Sequence, residues 1–332
     1  MTSSHPGPLA CHSERSEESQ QFEWQALRYE LRGSFASLRM TPQVSLSNMA
    51  TLLDIRRRIR SVKNTQQITR AMKMVAAARL RRAQDAIFNA RPYANQMMTL
   101  LESLAARTEQ RDHPLLAVRP IEKVLLVLVT ADRGLCGAFN ANLIRAAQEY
   151  IESQGGKDIS MIVVGRKGRD AFRRRARKML SEHINFFAHL EFSHAQQIAK
   201  EIIDLYTQKK VDAVDFVYNE FKSIMTQRVR LERYLPVKPV QPASGEVLID
   251  YIYEQPAAEI FNTLLPRYVE TEVYRALLES RAAELAAQMT AMDAATNNAA
   301  ELIDSLTLHM NRVRQAAITR EIIEVVSGAA AT

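Results

Sequence analysis

The chain has 332 residues, of which 47% are hydrophobic and 24% charged, as in an ordinary folded protein. No apolar run reaches the roughly 18 residues of a membrane-spanning helix, and two cysteines, Cys11 and Cys136, are too few for a disulfide framework or a zinc site. The formal charge of +7 indicates an acidic partner and leaves nucleic acid, lipid and protein open.

Residues 1–48 differ from the rest of the chain. They are rich in Ser, Glu and Gln, show no helical or strand periodicity, and lack the apolar core of a secretory signal. Their glutamates also argue against a transit peptide, which should be poor in acids. We expect a disordered leader and favour the interpretation that translation starts at Met49, which would make the leader a gene-model artefact.

The first predicted element is a long helix in residues 49–110. Residues 50–91 contain neither Pro nor Gly and consist mostly of good helix formers, so about 42 residues would span roughly 60 Å. Pro92 is expected to kink this helix or end it. Positions spaced alternately by four and three form a coiled-coil seam with polar interruptions. They are Ile55, Ile59, Val62, Gln66, Thr69, Lys73, Ala76, Leu80, Ala83 and Ile87.

Short β-rich runs then alternate with amphipathic helical runs, which predicts an α/β domain in residues 120–240. The sheet should be mostly parallel, with an antiparallel last strand. The predicted elements are residues 124–130, 138–152, 160–165, 195–208, 213–219 and 226–234. A Pro-rich link, 241–257, leads out of the domain.

The last predicted element is a second long helix, 258–332, with no helix breaker between Pro266 and Gly328. About 61 residues would reach roughly 90 Å, so part of the helix must protrude from the domain. Its seam is Leu285, Met289, Met292, Thr296, Ala299, Ile303, Leu306, Met310, Val313 and Ala317. Because each seam is narrow and the helices differ in charge, we predict an antiparallel coiled coil of the two.

The sequence contains no predicted catalytic, cofactor-binding or metal site. The stretch "VTADRGLCGAFNANL" has the setting of a phosphate-binding turn without the glycine spacing, so we interpret it as a tight strand-to-helix turn. "VVGRKGRD" is interpreted as a turn as well. Cys136 has no local signature of a nucleophile, and His183 and His189 lack further ligands at metal-binding spacing.

The basic first helix and the chain's end are the candidate binding features. Ten cations face two acids on that helix, which favours an acidic partner. They are Arg56, Arg57, Arg58, Arg60, Lys63, Arg70, Lys73, Arg79, Arg81 and Arg82. Residues 50–87 contain no aromatic side chain that could stack on bases, so an acidic protein is at least as good a candidate as nucleic acid. The apolar end "REIIEVVSGA" predicts a socket in a partner.

Four blocks in this order resemble the gamma subunit of F-type ATP synthases, the central rotor shaft. They are "IRSVKNTQQITRAMKMVAAARLRRAQ", "TADRGLCGAFNANL", "LLPRYVETEVYRALLESRAAELAAQMTAMDAATNNA" and "NRVRQAAITREIIEVVSGA". The resemblance covers the chain from Met49 and implies an antiparallel coiled coil of the terminal helices with a Rossmann-like domain as its foot. It also implies a non-catalytic subunit without a cofactor, peripheral on the cytoplasmic face of the bacterial inner membrane.

The resemblance further implies partners and contact residues. The shaft would turn inside a hexameric head of alpha and beta subunits, and the foot would bind epsilon and the membrane c-ring of a proton-translocating enzyme. The implied contacts with the head are Met72, Arg314, Gln315 and Thr319, to which we add Arg56, Lys63 and Arg79 of the basic helix. The implied foot contacts are Tyr251, Tyr253 and Glu254.

Two other functions remain as alternatives at this point. A nucleic-acid-binding coiled-coil protein would use the basic helix to contact phosphates, and its binding would weaken with salt. A small α/β enzyme with helical arms is a third hypothesis. The shaft hypothesis predicts neither nucleic-acid binding nor a small-molecule substrate.

Overall fold

Two very long helices dominate the computed structural model, which describes residues 52–105, 113–175, 177–237 and 257–330. Helix α1 is Leu52–Ala105, with 54 residues, and the last helix, α5, is Ala257–Ala330, with 74 residues. At 1.5 Å per residue they span about 80 and 110 Å. The leader 1–48 lies outside the described residues.

Both helices continue through a proline, as the predicted ranges 49–110 and 258–332 require. Pro92 lies inside α1 and Pro266 inside α5, so of the two alternatives for Pro92, the end of the helix is ruled out. A proline removes one hydrogen bond and crowds the preceding turn. Buried residues on both sides, such as Leu265 and Val269, anchor the helix through packing.

The central domain holds a five-stranded sheet in the order β3-β2-β1-β4-β5. All neighbouring strands are parallel except β4 and β5, which are antiparallel, so both predictions about the sheet are confirmed. The strands are β1 Lys123–Val129, β2 Asp158–Val164, β3 Met179–His183, β4 Ala213–Phe221 and β5 Gln227–Leu235. The shorter helices are α2 Phe139–Ser153, α3 Arg166–Arg173 and α4 Phe192–Thr207.

Helices cover both faces of this sheet, as its fully buried strands require. Alternate residues of β1 point to opposite sides: Val127 belongs to a core with α4 and the first part of α5, and Leu126 to a core with α2 and α3. The predicted Rossmann-like arrangement is therefore confirmed. Helix α5 serves both parts of the molecule, because its first turns pack on the sheet and its later turns pair with α1.

The predicted seam between the long helices is also confirmed. Every seam position named for α1 from Ile55 to Ile87, and for α5 from Leu285 to Ala317, is buried or half-buried. The hydroxyl oxygens of Thr69 and Thr296 lie 2.8 Å apart, so one of these polar seam positions can donate a hydrogen bond to the other across the interface. The pair Lys73–Asp293 lies at the same antiparallel register.

Besides the short 3-10 helix Phe187–His189, two of the described elements escaped the sequence analysis. Helix α3 begins directly after Gly165, where only a turn was expected, and β3 pairs with β2 at the edge of the sheet. Strand β3 has only five residues, and its exposed positions alternate with half-buried ones. A short strand of this kind carries little hydrophobic pattern, because just one neighbour and one face bury it.

Candidate functional site

The basic face of α1 points away from its partner helix. Among the described residues, Lys73 is the one cation of the ten that forms an ion pair with α5, through its Nζ 2.5 Å from Oδ1 of Asp293. The other nine side chains are exposed. The apolar seam therefore holds the two helices together, and most of the positive charge remains available to a molecule outside this chain.

The seven predicted head contacts lie along one shaft and not in one pocket. Since Lys73 is level with Asp293, Met72 lies about 20 residues, or roughly 30 Å, from the level of Arg314. Arg314, Gln315 and Thr319 are exposed within two turns of each other, and the Thr319 hydroxyl donates to the Gln315 carbonyl at 3.0 Å.

The remaining predicted contacts extend this track along α1. Arg56, Lys63 and Arg79 are exposed, and by the same register Arg79 is nearly level with Ala287 while Arg56 is nearly level with Met310. The seven side chains thus cover roughly 50 Å of the shaft. The predicted foot contacts Tyr251, Tyr253 and Glu254 lie outside the described residues.

An apolar patch on the basic face was missed by the sequence analysis. We use the name apolar patch for Ile68, Met74 and Val75, whose side chains are 60%, 60% and 50% exposed. Met72 is half-buried. Its neighbours on the helix surface are Ile68 and Val75 on one side and the seam residues Thr69 and Ala76 on the other. The sequence signal that could have revealed this patch is that its residues are apolar although they lie outside the four-three spacing of the seam.

The end of α5 is exposed in the part of the chain that the structure describes. All residues from Ile318 to Ala330 are exposed, including Ile322, Ile323, Val325 and Val326. We call this stretch the terminal segment. Contiguous exposed apolar side chains indicate a surface that another molecule covers.

The turn between β1 and α2 uses its polar groups internally. The Thr130 hydroxyl donates to the Val164 carbonyl at 3.0 Å and accepts from the Gly168 N–H at 2.9 Å. Oδ1 of Asp132 accepts from the backbone N–H groups of Arg166 and Asn185. These bonds fasten the carboxyl ends of the parallel strands to one another, as expected for a structural turn.

Gly165, between β2 and α3, packs closely against the turn that follows β1. Its φ is +94°, and a Cβ placed there would lie 2.1 Å from the Thr130 carbonyl oxygen. The glycine therefore permits a close approach of two backbone segments. Its neighbourhood is filled by protein and does not form an open phosphate cradle.

The Cys136 thiol lies in a core and is not arranged as a nucleophile. Its side chain is 2% exposed, and Nδ2 of Asn140 lies 3.1 Å from the sulfur. Burial, with the nearby charge of Glu284, raises the pKa of the thiol to about 11. A thiol with that pKa stays protonated near neutral pH.

His183 and His194 both make polar contacts within the foot. His183 Nε2 lies 3.1 Å from a Glu201 carboxylate oxygen, and His194 Nδ1 accepts from the Glu191 backbone N–H. Within the described ranges, no group of three or more His, Cys, Asp or Glu side chains could hold a metal ion.

Comparison with known proteins decides between the hypotheses. Residues 51–332 match the family model described as ATP synthase. The gamma chain of Solibacter usitatus is 53% identical over 287 residues, covering 85% of this chain and 99% of the relative. The gamma chain of Desulfitobacterium hafniense is 49% identical with the same coverage. The chain belongs to the ATP synthase gamma-chain family.

Solved structures agree with the gamma-chain assignment. A chain in the central stalk and c-ring structure of Tetrahymena thermophila mitochondrial ATP synthase is 28% identical, with a TM-score of 0.54, covering 69% of this chain and 99% of that one. A chain of the Euglena gracilis mitochondrial enzyme, with a TM-score of 0.60 and 21% identity, shares the fold over 85% of this chain and 94% of its own.

These matches support a gamma subunit of the ATP synthase central stalk and not the nucleic-acid-binding alternative. Among the helices described, none is long and apolar enough to span a membrane.

Proposed function

We propose that this chain is the rotating central shaft of a proton-translocating ATP synthase. The terminal segment and the paired helices would turn inside a hexameric head of alternating alpha and beta subunits. The foot would bind epsilon and rest on the membrane c-ring. The complex would lie on the cytoplasmic face of a bacterial inner membrane, with this chain as a peripheral subunit.

The observation that carries this proposal is the terminal segment. Eleven consecutive residues, 318–328, continue the helix with exposed side chains. An isolated helical end with exposed Ile and Val side chains costs free energy in water, since apolar surface of this kind is normally buried. A ring of apolar residues in the head, surrounding the terminal segment, would bury this apolar surface while still allowing rotation.

The basic face of α1 supplies the second argument. Nine exposed cations on one helix repel one another unless an acidic surface lies near. Acidic loops of a surrounding head would meet these cations at different angles as the shaft turns. Rotation can bias the affinity of each head site only if the shaft contacts the site's conformations differently. An asymmetric arrangement of charged and apolar residues provides such differences.

We further propose that this chain performs no chemistry of its own and needs no cofactor. The protonated thiol of Cys136 and the internally bonded turn after β1 support that role. ATP turnover would belong to the head, and this chain would transmit torque through its two paired helices.

Reconstitution tests the proposal. The purified chain, mixed with alpha and beta subunits of the same organism, should form a stable complex with ATPase activity above that of alpha and beta without it. The chain alone should hydrolyse no ATP. Failure to form a complex, or ATPase activity of the isolated chain, would contradict the proposed role.

Replacing Met72 with Lys should impair coupling more than folding. The side chain is half-buried beside the apolar patch, so a cation there alters the surface that would face the head. In reconstituted membranes we expect fewer protons pumped per ATP, with a thermal midpoint close to that of the unchanged protein. Gln197→Lys, on the exposed face of α4, adds the same charge to the foot and should leave coupling unchanged. Equal coupling in all three proteins would refute the contact.

A further inference from the structure

A cavity of about 600 Å³ lies between the two long helices where the shaft enters the foot. One of its walls is a single face of α5, formed by Arg267, Thr271, Tyr274 and Leu278 at spacings of four, three and four. Towards the terminal segment, the two helices pack in the apolar cluster that includes Leu278. Towards the start of α5, they pack in the sheet core that includes Val269. The cavity therefore interrupts the packing of α1 on α5 at the junction of shaft and foot.

The residues at the seam positions explain this cavity. The four-three spacing continues from Ile87 to Ala90 in α1, and from Leu285 back to Arg275 and Thr271 in α5. Ala90 is too small, and Arg275 and Thr271 are too polar, to fill the interface as Leu and Ile do elsewhere along the seam. Because protein interiors are normally close-packed, a cavity of this size indicates a place that another molecule fills.

Aromatic side chains form much of the remaining wall. Phe192, the first residue of α4, meets Tyr274 edge to face, with the ring centroids 5.3 Å apart and the ring planes at 85°. Tyr93 of α1 lines the same cavity and is 51% exposed. Aromatic rings favour stacked or edge-to-face contacts with other flat rings. The cavity is therefore suited to the body of a planar aromatic molecule.

Three of the four charged side chains at the cavity have partners within the chain. A Glu220 carboxylate oxygen lies 2.8 Å from the Arg230 guanidinium, and Arg275 contacts Glu279 at 3.8 Å. Arg267 is exposed and forms no ion pair with any residue in the described ranges. The charge that remains available at the cavity is therefore positive, which favours a ligand with an anionic group over one with a cationic group.

We propose that this cavity binds a small molecule that has a planar aromatic body and one anionic group, such as a carboxylate or a sulfonate. Arg267 can donate two parallel hydrogen bonds to such a group, while the rings of the ligand lie between Tyr93 and Tyr274. The cavity volume falls in the range of small-molecule sites, roughly 300–1,000 Å³. The cavity belongs to the isolated chain, so binding does not depend on the shaft function. A ligand that contacts both helices would stabilise the junction of shaft and foot.

Two fluorescent probes that share one ring system test the proposal. The probe 8-anilinonaphthalene-1-sulfonate carries an anionic group, and N-phenyl-1-naphthylamine lacks it. Both probes emit more strongly in apolar surroundings, so titration of the full-length chain gives a dissociation constant for each. The unchanged chain should bind the sulfonate at one saturable site and more tightly than it binds the neutral probe. Its thermal midpoint should rise in the presence of the sulfonate.

Two substitutions at the cavity have matched controls elsewhere in the chain. Arg267→Gln should weaken sulfonate binding about tenfold, because charge-assisted hydrogen bonds are lost, and should change binding of the neutral probe about twofold or less. Ala90→Phe should weaken binding of both probes about tenfold, since the added ring occupies the cavity. The controls Arg145→Gln and Ala141→Phe make the same replacements at exposed positions of α2. They should alter the binding of either probe by about twofold or less.

Three results would overturn the proposal. Probe binding that Ala90→Phe leaves unchanged would belong to exposed apolar surfaces such as the terminal segment. An equal loss of both probes in Arg267→Gln would show that the site does not select an anionic group. If the unchanged chain has no saturable site for the sulfonate, the cavity does not bind this class of molecule. Assembly with alpha and beta subunits is measured without the probes, so these results leave the shaft function to its own test.

Discussion

The foot and the shaft handle their charges in opposite ways. In the foot, Asp215 is 3% exposed and accepts two hydrogen bonds from the Arg233 guanidinium and one from the Tyr150 hydroxyl. On the shaft, Lys73 and Asp293 form one half-exposed pair, while the other nine cations named above are exposed. The buried charges of the foot stabilise its internal structure, whereas the exposed cations of the shaft are available for contacts with other molecules.

A second network of ion pairs in the foot also connects charged side chains within the fold. The Arg275 guanidinium lies 2.5 Å from a Glu272 carboxylate oxygen and also contacts Glu232 and Glu279, at 3.6 and 3.8 Å. Burial still raises the pKa of Glu272 above its ordinary value, although Arg275 opposes the shift. This network joins β5 to the first turns of α5.

The largest expected effect comes from breaking the buried pair of the foot. Asp215→Ala should lower the free energy of unfolding by about 3–5 kcal/mol, because it leaves Arg233 without its partner. Urea denaturation measures the change. Asp158→Ala removes a carboxylate from an exposed pair and should cost about 1 kcal/mol or less.

A double variant sharpens that result. Asp215→Ala combined with Arg233→Met should recover part of the loss, since no charge is then left unpaired. A double variant as unstable as the two single losses added together would show that the pair does not act as a unit.

The pH dependence of stability should come from the buried acids of the foot. Burial raises the pKa of Glu284 above its ordinary 4.5, with Arg281 opposing the shift. The folded protein therefore holds this proton more tightly than the unfolded chain does. The stabilising contribution is complete below pH 4.5 and is lost as pH rises through the folded pKa.

Glu284→Gln tests this directly, because Gln cannot ionise. The thermal midpoint of the variant should rise relative to the unchanged protein as the pH increases from about 4 to 8. Glu301→Gln, on the exposed surface of α5, should show a nearly constant difference over the same range. If the difference for Glu284→Gln were also constant, the Glu284 carboxyl would not contribute to the pH dependence of stability.

The smallest effect is expected on the shaft. Lys73→Ala should lower the free energy of unfolding by about 1 kcal/mol or less, since the paired side chains are 37% and 48% exposed. Thermal unfolding at low and high salt measures the change. A loss as large as that of Asp215→Ala would show that charge pairing, and not the apolar seam, holds the helices together.

The foot was only partly predictable because its strands differ in pattern. Strand β1 is a continuous apolar run from Val124 to Val129, and β4 is mostly apolar and buried despite Asp215, so both were found. Strand β3 and helix α3 are short and polar, so neighbouring strands and not local pattern decide their structure. The partnership of Asp215 with Arg233 joins two strands whose pairing no local spacing reveals.

The shaft surface was harder to predict than the shaft itself. The four-three spacing located the seam, but the same spacing gave no reason to look at Ile68 or Val75. Their exposure follows from the direction in which the seam faces its partner. The sequence shows that these residues are apolar and lie outside the seam spacing, but their exposure was established only by the position of the partner helix.

The sequence by itself determined the two long helices, their seam and the alternation of strands and helices, because these depend on periodicity within one segment. The tertiary structure alone decided where each helix ends and which charges are buried in networks. Those features depend on contacts between segments distant in the chain, and no local pattern encodes them.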